Sequence, residues 1–470
     1  MEYDVIIIGG GGAGLSDPEC AALLCGKALE IIDLLDRLGT PFNRTAEGKV
    51  DQRPFGGASR KRTCFSSDMT GHAIVHTLYD QLLQKENIHL FSEYVLLDLL
   101  QEGGSVCGAR FLVLATGEIV SVRSKSVVLA TGGYAGIFFN HTTNTPQSTG
   151  DGLTAAMEAG AALKNMEFVQ FHPTTLKNSS LLISEAARGA GAYLINDRGE
   201  RFVDELTTRD KVTKAIQAQI DSGSGVYLDL RHLDPDLLEG DLHHEVAQCR
   251  IYEGVDPSSE PVPIKPSAHY TMGGIAIDLQ ARVQGESGAI PGLYACGECA
   301  HISAHGANRL GGNSLLDILV FGRIAGAQAA DFAASRPAVA ETLREPFSFP
   351  DQGRSFYPLR TRFEQLMNTK ASVVKNAPLL ESALDELSII EAEFQGCAPQ
   401  DKVSGFNTER VEFLEFKNML LLARIYLSAS LRREESRGSH LRSDFPDKSQ
   451  KWEISSRIFK KHGNLIFQDD

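Results

Sequence analysis

Positive charge is what this chain can least spare. Against 46 Lys and Arg stand 60 Asp and Glu, a formal net charge of −14. That balance excludes a broad electrostatic grip on nucleic acid or anionic lipid. An acidic ligand would have to be met by a local concentration of Arg and His. Long apolar runs are missing too. The best candidate, residues 419–431, is broken by Arg424, which excludes a membrane span there. Cysteine is sparse, with eight in 470 residues and only Cys296 and Cys299 at C-x-x-C spacing. A disulfide framework is therefore not expected, and the usage reads as that of a reducing compartment. No iron–sulfur cysteine spacing occurs, and there are no repeats or low-complexity tracts. No signal peptide is expected, because Met1-Glu-Tyr leads directly into a strand-like run.

What is present is a pattern of β-branched runs that end in glycine. Residues 5–8, the stretch "VRSKSVVLATGG" (122–133) and "IPGLYACGE" (290–298) all have this form, which reads as buried parallel strands entering glycine turns. Their wide separation predicts one nucleotide-binding domain assembled from discontinuous segments. Between the second and third lies an inserted domain that carries "YLINDRGERF", read as a hairpin turning at Asp-Arg-Gly. Beyond about residue 347 the spacing turns helical, in "LLESALDELSIIEAEF" and "VEFLEFKNMLLLARIYLSASLRREES". The stretch from about Ser439 is polar and is expected to pack late or fray.

Gly9-x-Gly11-x-x-Gly14 follows the first strand, with Gly12 inside it. Such glycines let the backbone approach a pyrophosphate, whose charge suits the following helix N-terminus. A tight glycine turn is the plainer alternative. The continuation is unusual. Pro18 stands where the fingerprint helix should still run, and Asp17-Pro18-Glu19 reads as a fresh helix start. The acidic residue due about twenty positions on should close a second strand. Asp33 and Asp36 fall near that spacing but belong to the helical "ALEIIDLLDRLG", which stops at Gly39. The second strand is not expected.

More specific are six stretches in fixed order: "FVQFHPTTL" (168–176), "ISEAARGAGAYLINDRGERF" (183–202), "TTRDKV" (207–212), "HYTMGGI" (269–275), "GLYACGE" (292–298) and "HGANRLGGNSLLDILVFGR" (305–323). With "QRPFGG" (52–57), "TGDG" (149–152) and "ESRGSHLRSDFP" (435–446), they closely resemble the flavoprotein subunit of succinate dehydrogenase and fumarate reductase. L-aspartate oxidase shares much of this pattern, including "HGANR". The resemblance implies an α/β fold with three parts. A Rossmann-like FAD-binding domain takes residues 1–165 and 269–346, an inserted α+β capping domain residues 166–268, and a C-terminal helical domain residues 347–440, with a tail at 441–470.

The same resemblance implies interconversion of fumarate and succinate by hydride transfer at the flavin. His172, Ser184, His269 and Arg309 would hold the two carboxylates, a task suited to Arg by its bidentate geometry. Arg209 would exchange the proton, reloaded through Glu185 and Arg188, with His172 also counted in the catalytic set. Asp151, Glu298, Ser314 and Leu315 would contact the flavin, with Ala130, Thr131 and Gly132 near the nucleotide together with Gly9, Gly11, Gly12 and Gly14. The resemblance also implies FAD as cofactor and a separate iron–sulfur subunit that links the chain to a quinone-reactive membrane anchor. The chain would then be cytoplasmic, peripheral on the inner face of the membrane, with no nucleic-acid partner. Relatives carry more residues between the glycine motif and the segment matching Glu19 onward, including the His that bonds FAD covalently in membrane-complex members. Any FAD here is thus expected to be non-covalent. The competing readings are L-aspartate oxidase and a flavin-free relic that binds only dicarboxylate or a partner subunit.

The remaining motifs read as structural. His72 and His76 have zinc-like spacing without a Glu between them, and no metal site is expected. Cys296 and Cys299 straddle Glu298, and redox pairing there is not expected. His243-His244-Glu245 is expected to be a solvated helix face. "ESRGSH" is expected to fix the C-terminal helices to the flavin domain.

Overall fold

The computed structural model describes residues 15–53, 60–337 and 347–469. The glycine motif, with Gly9, Gly11, Gly12 and Gly14, and part of "QRPFGG" lie outside them. The first described helix, α1 (Pro18–Arg37), starts where the sequence predicts. The Asp17 carboxylate caps it by accepting from the amides of Glu19 and Cys20. Pro18 occupies the first turn, where no amide hydrogen is needed. The helix stops before Gly39, whose φ of +96° suits glycine. Ahead of it, Ser16 Oγ donates to Ala304 O at 2.7 Å and Asp17 N to Ser303 O at 3.0 Å. The junction is thereby pinned against "HGANR".

Helix α2 (Thr70–Leu83) carries His72 and His76 with their rings 4.1 Å apart. Strands β1 (Tyr94–Glu102), β2 (Ser105–Val113) and β3 (Ile119–Arg123) form an antiparallel meander, followed by β4 (Val127–Leu129). Helix α3 (Asp151–Glu158) leads to β5 (Leu163–Lys164) and β6 (Val169–Leu176). Next come α4 (Glu185–Gly189), β7 (Tyr193–Asn196), α5 (Arg209–Asp221), β8 (Val226–Asp229), α6 (His243–Gln248) and β9 (Val262–Thr271). The turn after β7 is the hairpin read from "NDRGE": Gly199 N donates to Asn196 O, and Ile195 bridges Arg201. Strands β10 (Gly274–Ala276), β11 (Arg282–Gly285), β12 (Gly288–Ala295) and β13 (Ala300–His301) precede the long helix α7 (Asn313–Ala334).

Two sheets matter most. Strands β4 and β12 pair in parallel, Leu129 opposite Ala295, as the strand-to-glycine runs predict. Strands β6, β9, β8 and β7 form an antiparallel sheet in that order. That sheet and α4, α5 and α6 enclose a separate apolar cluster, including Leu176, Leu194, Val212, Ile216, Leu228 and Val246. The larger core runs through α1, α3, α7 and the C-terminal helices α8 (Tyr357–Lys370), α9 (Ala377–Phe394) and α10 (Thr408–Arg432). The helical spacing of α9 and α10 is as expected, with Leu380, Ala383, Leu387 and Ile390 buried along one stripe of α9.

The stretch after Ser439 does not fray. Strands β14 (Ser456–Lys461) and β15 (Asn464–Asp469) form a hairpin, turning at His462-Gly463 with φ of +49° and +82°. Strand β14 pairs with β5, giving the sheet order β13, β10, β5, β14, β15. Trp452, Ile458 and Phe459 are buried by it, and their burial offsets the ordering of an otherwise polar segment.

Candidate functional site

The site begins where β6 and β9 run side by side. Ala268 pairs with Phe171 and Tyr270 with Gln170, so β9 has one residue to spare between them. That residue is His269. Such a bulge re-aims its side chain, and the His269 ring lies 5.1 Å from that of His172, edge to face. His269 Nδ1 shares a 2.7 Å bond with Thr143 Oγ1, and His172 Nδ1 accepts from the Thr174 amide at 3.3 Å. Burial is the main reason both imidazoles titrate well below their ordinary range. Arg209 then His269 add to it at His172, and Arg309 then Arg209 at His269. Both rings are therefore neutral at pH 7.

Two arginines converge on one amide oxygen. Arg209, the first residue of α5, donates from Nη1 to Gln170 Oε1 at 3.1 Å, and Arg309 donates from Nη2 to the same oxygen at 3.3 Å. Gln170 is itself fixed, since Nε2 donates to Asn308 Oδ1 at 2.7 Å and to Arg309 O at 2.8 Å. Arg309 Nη1 bonds Ser314 Oγ at the start of α7, and the guanidinium lies 4.1 Å over the Tyr270 ring. Burial, then the like charge of Arg209, pushes the Arg309 guanidinium down to about 10. Arg209 Nη2 donates to Glu185 Oε2 at 2.8 Å, and Glu185 Oε1 accepts from Arg188 Nη2 at 3.4 Å. Arg188 also donates to Glu205 O at 2.7 Å. His172 Nε2, Arg188 Nε, Arg209 Nε and Arg309 Nε are buried with no partner among the described residues. This constellation offers donors and positive charge to an anion and has a continuous carboxylate–guanidinium line leading out of it.

Ser184 caps α4 and its hydroxyl donates to Glu245 Oε1. Glu245 is not on a solvated face, contrary to the sequence expectation: it is 3% exposed. Leu242, Val246 and Cys249 are buried with it, and the helical spacing 242, 245, 246, 249 is the signal that could have shown it. Gln170 was also missed as a participant, although a Gln flanked by Val169 and Phe171 on a fully buried strand marks a polar group with a task.

The proposed flavin contacts lie on four neighbouring loops and helix starts. Ala130, Thr131 and Gly132 follow β4, the first two exposed. A Cβ on Gly133 would stand 2.4 Å from Glu298 Oε1, and one on Gly152 would stand 2.0 Å from Thr131 Oγ1. Those two glycines let the loops approach. Asp151, at the start of α3, accepts from Thr149 Oγ1 at 2.9 Å and Asn418 Nδ2 at 2.6 Å, and burial raises its carboxyl. Glu298 accepts from Thr271 N at 2.9 Å, and burial pushes it up to about 7. Ser314 and Leu315 open α7, which has Gly312 as N-cap and no side chain capping it. An uncapped helix start, glycine-lined loops and unpartnered ring and guanidinium nitrogens fit an anionic ring cofactor beside a small anion. All eight cysteines are free thiols. Among the described residues no three His, Cys, Asp or Glu converge as metal ligands.

A family described as FAD binding domain matches residues 15–315, and one described as fumarate reductase flavoprotein C-term matches residues 360–465. The first match begins past the glycine motif. The succinate dehydrogenase flavoprotein subunit of Rickettsia bellii is 38% identical over 478 aligned positions, which cover 94% of this chain and 80% of that protein. The fumarate reductase flavoprotein subunit of Mycobacterium tuberculosis is 36% identical, with 93% and 81% covered. Among solved structures, E. coli quinol fumarate reductase superposes with a TM-score of 0.91 at 31% identity, covering 98% of this chain and 85% of that chain.

Proposed function

The chain belongs to the succinate dehydrogenase and fumarate reductase flavoprotein subunits, FAD-dependent oxidoreductases, and we propose from this that it interconverts fumarate and succinate at the site around Gln170. What supports this most is the pair of buried guanidiniums, Arg209 and Arg309, that share one neutral oxygen. Like charges so placed repel each other, and a dicarboxylate supplies the negative charge that Gln170 cannot. His172, His269 and Arg309 hold its carboxylates, and Ser184 stands beside them. Neutral imidazoles serve here as donors without adding charge.

Ala130, Thr131, Gly132, Asp151, Glu298, Ser314 and Leu315 would hold FAD, without a covalent bond. When bound, FAD supplies two-electron hydride chemistry at N5. Clamping one carboxylate between fixed donors makes the neighbouring olefinic carbon electrophilic, which stabilises charge where it develops. Arg209 exchanges the proton at the other carbon. An arginine ordinarily holds its proton above pH ~12, so it can act only if the proton is replaced as it leaves. The 2.8 Å bond to Glu185, which Arg188 backs, supports Glu185 in that role.

Electrons pass to or from a separate iron–sulfur subunit, which ties the chain to a quinone-linked membrane anchor. Among the described residues no helix is long and apolar enough to cross a membrane. The chain then lies peripherally on the cytoplasmic face through these partners. Arg437, Ser439 and His440 hold the C-terminal part in place and have no chemical step. Ser439 donates twice to Ala307 O beside the site.

The test is the visible absorption spectrum of the purified chain, followed by anaerobic succinate. A flavin band that bleaches supports the reading. A protein still colourless after incubation with excess FAD overturns it in favour of a relic. A band that ignores succinate but bleaches with L-aspartate overturns it in favour of an amino-acid oxidase.

A further inference from the structure

Behind Gln170 runs a chain of side-chain bonds that the proton step and the carboxylate clamp leave unused. It starts at Asp210, the second residue of α5, half-buried next to Arg209 in the chain. Asn308 Nδ2 donates to Asp210 Oδ1 at 3.0 Å, and Asn308 Oδ1 accepts from Gln170 Nε2 at 2.7 Å. Gln170 Nε2 also donates to Arg309 O at 2.8 Å, which leaves Oε1 to accept from Arg209 and Arg309. Asn308 and Gln170 are both buried.

Donors and acceptors along this chain can run in one sense only. A carboxylate accepts, and a guanidinium only donates. With Asp210 at one end, the NH2 group of Asn308 faces it and the Asn308 oxygen faces Gln170. The Gln170 NH2 group then faces Asn308, and its oxygen faces the two guanidiniums. A reversed Gln170 would set its NH2 group against two further donors, buried and without an acceptor. The bond to Arg309 O favours the same sense, but it ties Gln170 to the Arg309 segment alone. Asn308 extends the tie to α5. Arg209 and Arg309 meet at Gln170 while their chain neighbours Asp210 and Asn308 bond each other. The start of α5, β6 and the loop before α7 thus close into a ring. The plainer role for Asp210 is that of an acidic residue in the first turn of α5.

We propose that Asp210 and Asn308 are positioning residues that fix the polarity of Gln170 and the spacing of Arg209 and Arg309. This rests on the reading of the two arginines as proton donor and carboxylate clamp, and it adds what keeps them in register. Neither Asp210 nor Asn308 needs to touch the dicarboxylate.

The experiment is succinate-dependent dye reduction by the FAD-loaded full chain, with melting temperature and flavin absorbance followed beside it. In Asp210→Asn the end of the chain can donate as well as accept, and kcat/KM should fall about fivefold or more. Asn308→Asp sets two carboxylates face to face and should lose at least as much. The double variant Asp210→Asn/Asn308→Asp restores an acceptor beside Gln170 and a donor behind it, and should return to within about twofold of wild type. A first-turn acid would not give that rescue, because the double variant lacks it too. Should the double variant fail to fold, Asp210→Glu, still an acceptor only, should keep more activity than Asp210→Asn. A fall smaller than about fivefold in Asp210→Asn overturns the proposal, even where the melting temperature drops. So does a double variant no better than its worse parent, or an equal loss in Asp210→Glu and Asp210→Asn. A wild-type chain that carries flavin but neither binds nor oxidises succinate overturns the dicarboxylate reading, and this proposal with it.

Discussion

Among the described residues two groups of buried arginines stand out, and they are furnished in opposite ways. At the C-terminal clasp, Arg433 uses every nitrogen: Nε to Glu167 at 2.6 Å, Nη1 to Glu435 and Trp452 O, and Nη2 to Ile454 O. Arg442 grips Asp444 through two nitrogens and spends the third on the carbonyls of Ser430, Leu431 and Arg433. Around Gln170 the guanidiniums are left short: Arg209 and Arg309 each have an idle Nε and share one neutral acceptor, and of the two Arg209 alone has a carboxylate, Glu185, among the described residues. Burial alone does not distinguish a structural arginine from a binding one. Completeness does, because a saturated cation fixes chain segments and an under-satisfied one waits for an anion.

The sharpest way to test this contrast is to remove one arginine from each group. Arg209→Ala should lower succinate-dependent dye reduction by ~10²–10⁴-fold, the usual worth of a positioned proton donor, while calorimetric succinate binding persists. Turnover within tenfold of wild type would remove Arg209 from the proton step. Arg433→Ala should do the reverse. It leaves Glu167 buried with only the Ser456 hydroxyl, while Glu435 keeps Arg437, and should cost ~3–5 kcal/mol in denaturant unfolding, with little change in dicarboxylate affinity for the protein that remains folded. A loss below ~1 kcal/mol would mean that the clasp is as expendable as a surface pair.

Lys375 gives a smaller, pH-dependent test. It is buried in the clasp beside Arg442 with no carboxylate partner among the described residues, and burial, then that like charge, pushes its amine down to about 7. The folded value is below the unfolded one of about 10.5. Its stability contribution is therefore complete above about pH 10.5 and lost as pH falls through 7. Melting temperature should rise from pH 7 to pH 9 in the wild type relative to Lys375→Met. Parallel curves would show that the amine is neutral or charged throughout.

The fold was legible wherever the signal was local. Asp17-Pro18, the periodicity of α9 and α10 and the turn at Gly199 need only neighbours in sequence. The stretches that bear the candidate site are local too, each with a distinctive order of residues. What escaped depends on contacts across the chain. Glu245 is polar by type and buried by position, and the polarity of His243 and His244 masked the stripe it shares with Leu242 and Val246. Gln170 shows its role only once Arg209 and Arg309, 39 and 139 residues away, arrive at the same oxygen. The hairpin of β14 and β15 had a readable turn at His462-Gly463. Its partner β5 lies nearly three hundred residues upstream, at Leu163 opposite Ile458, and no local pattern indicates that pairing.

That pairing sets an order of events during synthesis. Strand β5 leaves the ribosome long before β14 exists, and at about 5–20 residues per second the wait is on the order of fifteen seconds to a minute. Until then β5 has an open edge in the sheet that leads to β13 and the "HGANR" loop. Completion of that sheet is therefore a late step. Tight loading of the cofactor should follow it, after translation has passed residue 461, and nascent chains halted before that point should need a chaperone to shield the edge.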